Sequence, residues 1–180
     1  MASRPRQPTG FSRPPDGLHT AACTPRAETP AVADCDPEPV RRVLKGKAWV
    51  VDGDTIDLAG VRLRLFGIDA PEMDHPYGIR AKRAMMALCK GQIVSASIVD
   101  EDAHGRTVAK CVLPDGRDLS AELVKKGLAL DWPKFSGGCY AALETPDARR
   151  KLWLAAARQK GQMHVWEKFE RQKAARRSSG

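Results

Sequence analysis

The chain has 180 residues, room for one ordinary domain with tails. Its 42% apolar and 29% charged content suits a packed core and excludes a wholly disordered chain. No apolar run approaches the ~20 residues of a membrane-spanning helix, and the N-terminus lacks the apolar stretch of a secretory signal. As given, the chain therefore reads as starting out in the cytosol. The five cysteines show neither CxxC nor Cys/His spacing, which argues against a zinc site. Cys89 and Cys111 read as packing residues. A Cys23–Cys35 bridge is compatible with the sequence without being demanded by it.

The formal net charge is +8, unevenly placed. Residues 1–40 hold eight of the 13 prolines and slightly more acid than base, so residues 1–44 read as a disordered, Pro-rich arm. The positive charge lies on a domain spanning 45–166 and on a basic tail, 167–180, that includes Lys168, Arg171, Lys173, Arg176 and Arg177. Such a domain attracts polyanions, of which nucleic acid is the commonest. The tail reads equally as added phosphate contacts or as a frayed, solvated terminus.

In chain order, Lys47–Val51 and Thr55–Leu58 are short β-rich runs on either side of the turn-forming Asp52-Gly53-Asp54. Ala59-Gly60 leads tightly into Val61–Phe66, whose alternation marks a half-buried strand. Ile68 to Tyr77 is a loop punctuated by Pro71 and Pro76. Ile79 to Lys90 has helical periodicity and stops at Gly91. Ile93–Val99 and Thr107–Leu113 are strands, and Ser120–Lys126 is a short helix ended by Gly127. After a Pro- and Gly-bearing stretch, Thr145-Pro146 opens a last helix through Ala148–Lys160, with threonine as cap and proline at its first position. Five short strands and three helices in this order predict an α+β fold, compatible with a small Greek-key barrel.

Three segments concentrate acid and arginine where a core has no use for them: Val51-Asp52-Gly53-Asp54-Thr55-Ile56, Arg62 to Glu72, and Asp102 to Ala109. Cleaving a phosphodiester requires a hard cation held by oxygen ligands, a base for the attacking water, and cationic donors for the developing charge. Asp54 and Asp69 suit the metal, Glu72 the base, and Arg64 and Arg106 the phosphate, where arginine's rigid fork outperforms lysine. Taken alone, the first segment is most often a mere turn. It is no EF-hand loop, since Ile56 and Asp57 stand where that loop needs an oxygen donor and a glycine.

Together these motifs resemble the staphylococcal nuclease (thermonuclease-like) family. They are DGDT at Asp52–Thr55, Arg64 five residues before the aspartate of Asp69-Ala70-Pro71-Glu72, and Gly105-Arg106 some way downstream. The resemblance continues through Asp115-Gly116, Leu119 to Ala129, and the last helix into Gly161 and Trp166. It implies a five-stranded OB-type Greek-key β-barrel with three α-helices and a calcium-dependent endonuclease acting on DNA or RNA. In that implied site, Asp54, Asp69 and the Ala70 backbone carbonyl hold calcium, although other divalent cations are possible. Glu72 serves as general base, and Arg64 and Arg106 clamp the phosphate. Water attacks in line and leaves a 3′-phosphate.

Ala103 and His104 stand where the founding member of the family has lysine and tyrosine. His104 is thus a candidate substrate contact when charged. Trp132 is a second candidate, as a stacking face for a base. His75 reads as a loop residue, and Trp153 and Trp166 as core. Family precedent leans toward secreted or periplasmic enzymes, against the visible N-terminus. A monomer without membrane or protein partners is expected. The rival from another class is a non-catalytic OB module that binds single-stranded nucleic acid; it has no reason to keep the carboxylates and arginines together.

Overall fold

The computed structural model describes residues 42–102 and 105–178. All but the last three residues of the N-terminal arm, and His104, lie outside the described residues. The chain enters as Arg42–Gly46 (β1) and Ala48–Val50 (β2), two halves of one extended run interrupted only at Lys47. β2 pairs antiparallel with Thr55–Leu58 (β3), and β3 with Val61–Leu65 (β4). The β3–β4 turn has two central residues, Ala59 and Gly60, both at positive φ (51° and 78°), as the two-residue type I′ hairpin requires. After Ile68–Asp69 (β5) and the helix Gly78–Cys89 (α1), Val94–Glu101 (β6) and Thr107–Val112 (β7) complete the main sheet.

The strand order is β1-β6-β7-β4-β3-β2. Its two edges are consecutive halves of one segment, so the sheet curls round and that segment belongs to both ends. β4 and β7 run parallel, with Leu63 opposite Thr107, and the other pairs are antiparallel. This is the curled mixed sheet of an α+β, OB-like fold, as expected from the sequence. Ile56, Leu58, Leu63, Val94, Ala96, Ala109 and Cys111 fill its interior with no exposed surface. Each fully buried leucine or isoleucine contributes ~1.5–3 kcal/mol. α1 covers one side of this core through Ala81, Met85, Leu88 and Cys89, the face its periodicity predicted. Cys89 and Cys111 are buried free thiols.

Several elements differ from the sequence reading. The first strand begins at Arg42 and pairs with β6; its sequence RVLKG has no clear alternation, and only Leu44 is buried. β5 forms a separate two-stranded pair with Leu130–Asp131 (β8). Two-residue strands carry no periodicity, so only tertiary pairing creates them. Beyond Leu119–Lys125 (α2), helix is distributed over Pro133–Ser136 (α3), Ala148–Lys151 (α4), Trp153–Gln159 (α5) and Met163–Ser178 (α6).

The single last helix predicted over 148–160 is thus broken at Leu152, whose ψ of 43° leaves the helical region. The cap predicted at Thr145 is also corrected. Asp147 is the residue before α4, and Thr145 Oγ1 instead donates to Asp147 Oδ1 at 3.1 Å. α6 runs without interruption across residue 166, so the basic segment through Ser178 is helical rather than frayed. Trp153 is 39% exposed and Trp166 half-buried, so neither is a core residue. No helix among the described residues is long and apolar enough to cross a membrane.

Candidate active site

The turn between β2 and β3 is closed by Val51 and Asp52, whose N–H groups donate to the Thr55 carbonyl at 3.0 and 3.2 Å. Asp52 uses its carboxylate inside the turn, accepting from the Asp54 N–H at 3.1 Å, while the Asp54 side chain is buried. Thr55 Oγ1 steadies Asp54 Oδ1 at 3.1 Å. Gly53 is needed for proximity: a Cβ there would lie 2.8 Å from Ala81 Cβ on α1 and 2.9 Å from Ala70 Cβ. That close approach brings Asp54 beside the β5 end, where the Ala70 N–H faces Asp54 Oδ2 at 3.4 Å.

Asp69 has no exposed surface and is fixed by pairing with Leu130 of β8. Arg64 reaches both acids, with Nη2 2.8 Å from Asp54 Oδ2 and 3.9 Å from Asp69 Oδ1. Arg62 shares its strand and pleat face, yet lies in solvent against Asp57. Glu72 follows Pro71 at the start of the loop into α1. Gly78 makes that placement possible, since a Cβ there would fall only 1.8 Å from the Glu72 carbonyl oxygen. The same oxygen accepts from the His75 N–H at 3.0 Å, so the loop is wound tightly beneath Glu72 while its carboxylate stays open.

A residue that the sequence did not single out completes the cluster. Arg158, on α5, donates through Nε and Nη2 to the two Asp69 oxygens, through Nη1 to Glu72 Oε1 at 2.7 Å, and through Nη2 to the Ala70 carbonyl at 3.2 Å. It comes from 86 residues beyond Glu72, and its neighbourhood already holds Arg149, Arg150, Lys151 and Lys160. No spacing or motif distinguished it among these; only the packing of α5 does.

Burial raises the Asp54 carboxyl above the ordinary carboxylate range, and Arg64 only partly opposes it. Burial likewise pushes Asp69 up to about 6, against the pull of Arg158 and with a further push from Asp54. Burial also works against the Arg158 charge, but Asp69 and Glu72 outweigh it and its pKa rises. At both neighbouring carboxylates burial thus outweighs the two arginines, a pattern frequent at functional sites.

The convergent donors are hard oxygens, the kind that suit calcium or magnesium. Asp69, the Ala70 carbonyl and Glu72 already converge on one cation, the Arg158 guanidinium, which serves as a stand-in ion. Asp54, joined to Asp69 through Arg64, adds a further carboxylate, so the oxygens of Asp54, Asp69 and Ala70 are of the kind that fit a divalent metal. Among the described residues, no three His, Cys, Asp or Glu side chains gather as a ligand set by themselves.

The structure therefore brings Asp54, Arg64, Asp69, Ala70 and Glu72 together. It leaves Arg106 apart: its Nη2 pairs with Asp102 Oδ2 at 2.6 Å on an exposed hairpin. The β4–β7 pairing still puts Arg106 at the edge of the same sheet end, one residue before the Leu63–Thr107 register. Trp132 is half-buried, packs edge-on against Phe135 with centroids 4.9 Å apart, and donates its backbone N–H to the Gly67 carbonyl. His75 is a buried loop residue that touches α6, 3.0 Å from Glu170 and edge-on to Trp166 and Phe169.

The family model for staphylococcal nuclease homologues matches residues 62–167, which include Arg64, Asp69, Glu72, Arg106 and Arg158 and begin after Asp54. A probable staphylococcal-like nuclease of Oryza sativa subsp. japonica is 32% identical over 60% of this chain and 33% of its own length. A succinoglycan biosynthesis protein of Rhizobium meliloti is 33% identical over 55% of this chain and 58% of its own. An uncharacterized endonuclease of Escherichia coli O157:H7 is 32% identical over 59% of this chain and 74% of its own. The chain thus spans about a third and somewhat over half of the first two relatives. With Arg64, Asp69, Glu72 and Arg158 on the matched segment, which covers more than half of the chain, the chain belongs to the staphylococcal nuclease homologue family.

Proposed function

We propose that the chain is a divalent-cation-dependent endonuclease, with calcium as the first candidate metal, that hydrolyses DNA or RNA with little sequence specificity. One observation carries this reading: Asp54, Arg64, Asp69, the Ala70 carbonyl and Glu72 meet at one end of the curled sheet. Asp54, Asp69 and Ala70 would hold the cation, which when bound supplies positive charge to the phosphate oxygens. Glu72 is 44% exposed, open enough to orient an attacking water and accept its proton. The water oxygen bonds to phosphorus as the bond to the 5′ oxygen breaks in line with it; the 5′ oxygen takes a proton from solvent, and the 3′ side keeps the phosphate. Arg64 meets charge on the phosphate oxygens from its seat between the aspartates. Arg106 joins it by turning its side chain, 46% exposed, away from Asp102. His104 and Trp132 remain candidate contacts to the rest of the substrate.

The test is hydrolysis of single-stranded DNA and RNA with calcium, magnesium or manganese, with and without chelator. Glu72→Ala is expected to lower the rate ~10²–10⁴-fold. Calcium should also raise the melting temperature by binding only the folded site. Inactivity in every metal, or full activity in both Glu72→Ala and Arg106→Ala, would overturn the reading. A second reading, a non-catalytic OB module that binds single strands, draws support from Arg158 lying among the acidic groups. Strand binding without cleavage in that assay would favour it.

A further inference from the structure

Arg158 uses the same lone pairs that a metal would need. Its fork takes both oxygens of Asp69, the Ala70 carbonyl and one oxygen of Glu72. A guanidinium that engages both Asp69 oxygens and the Ala70 carbonyl competes with a divalent cation for two of its three candidate ligands, Asp54 alone being left untouched. We propose that Arg158 is a built-in cation that occupies the acidic site of the metal-free protein and is displaced by the entering metal, so that the two are mutually exclusive occupants. This rests on the metal-dependent reading above.

Three features support displacement over permanent bracing. Arg158 is 21% exposed, whereas Asp69 beneath it is fully covered, so the guanidinium lies on the solvent side of the acid it neutralises. Its Cζ also lies 5.6 Å from the Trp166 ring centroid while docked, so a cation–π partner stays within reach of a guanidinium that lets go of the acids. Arg64, by contrast, meets the acids through Asp54 and makes no contact with the Ala70 carbonyl or Glu72. Release of Arg158 therefore frees Asp69, Ala70 and Glu72 while Arg64 stays on Asp54. Arg158 thus substitutes for the missing charge, sparing the buried carboxylate an unpaired state in the empty site.

The experiment is calorimetric titration of calcium chloride into the full chain without nucleic acid. It compares wild type with Arg158→Ala, Arg158→Gln and Arg158→Lys, with Asp69→Asn as a site control. If Arg158 is docked in about nine molecules of ten, its removal tightens apparent calcium affinity about ten-fold. The alanine and glutamine variants should melt below wild type in chelator and gain more from calcium. Arg158→Lys keeps the charge but loses the fork, and should fall between wild type and alanine. It remains informative if the neutral variants fail to fold. Calcium binding in the variants with wild type silent also supports exclusion. Equal or weaker affinity in the variants, with wild type binding normally, overturns exclusion and leaves the metal reading standing. Calcium binding by none of the proteins overturns both.

Discussion

Two arginine–aspartate pairs of similar length have opposite physical character. Arg64 and Asp54, 2.8 Å apart, are inside the sheet corner with 13% and 8% of their side chains exposed. Arg106 and Asp102, 2.6 Å apart, are on the hairpin between β6 and β7, and Arg106 is 46% exposed. The first pair belongs to a web of Asp69, Thr55 and the Ala70 backbone, so its geometry is set before any ligand arrives. The second joins an arginine that is 46% exposed to an aspartate that also accepts from the Arg106 backbone N–H at 3.0 Å, so only the arginine side is open to solvent. The comparison teaches that burial, rather than residue type, separates an arginine fixed among several partners from one that remains half open to solvent.

The largest expected effect would come from the buried side. Arg64→Ala leaves two neighbouring carboxylates with less compensation and should cost ~3–5 kcal/mol in urea unfolding with chelator present. A cost under ~1 kcal/mol would break the distinction. Arg106→Ala should change stability by no more than ~1 kcal/mol in the same assay, yet lower nuclease activity ~10²–10³-fold. A large stability loss there would mean that the hairpin pair is also structural.

The smallest effect concerns another peripheral cluster, where α6 meets the loop after Glu72. Hydrogen bonds from His75 and Lys173 lower the Glu170 carboxyl below its ordinary 4.5, and a hydrogen bond from Lys173 lowers Asp74 below its ordinary 3.8. A lowered carboxyl contributes stability that is fully present above its unfolded value and lost as pH falls through its folded one. Acidification below 4.5 should therefore loosen α6 and shift Trp166 fluorescence before the sheet signal in circular dichroism changes. Unchanged fluorescence until global unfolding would show that packing of His75 with Trp166 and Phe169, rather than charge, holds α6.

Much of this molecule is written locally. Alternation in Val61–Leu65, the period of α1 and the turn at Ala59-Gly60 are short-range consequences of side-chain spacing and positive φ, and each reads correctly from the chain. Asp54, Arg64, Asp69 and Glu72 were also legible, because all fall within two adjacent segments carrying charge that a core would reject. Other features were not, because their causes are distant in sequence. β5 and β8 exist only by pairing with each other, and Gly53 and Gly78 matter only through what lies against them. Arg158 has no local mark among its basic neighbours, since its role arises when α5 packs over Asp69 and a buried acid needs a charge within reach. The sequence alone thus determined the strands with alternation, the first two helices and the acidic corner, through periodicity and motif chemistry. Tertiary structure decided which cation meets that corner, because a buried carboxylate takes its partner from whatever the fold brings alongside.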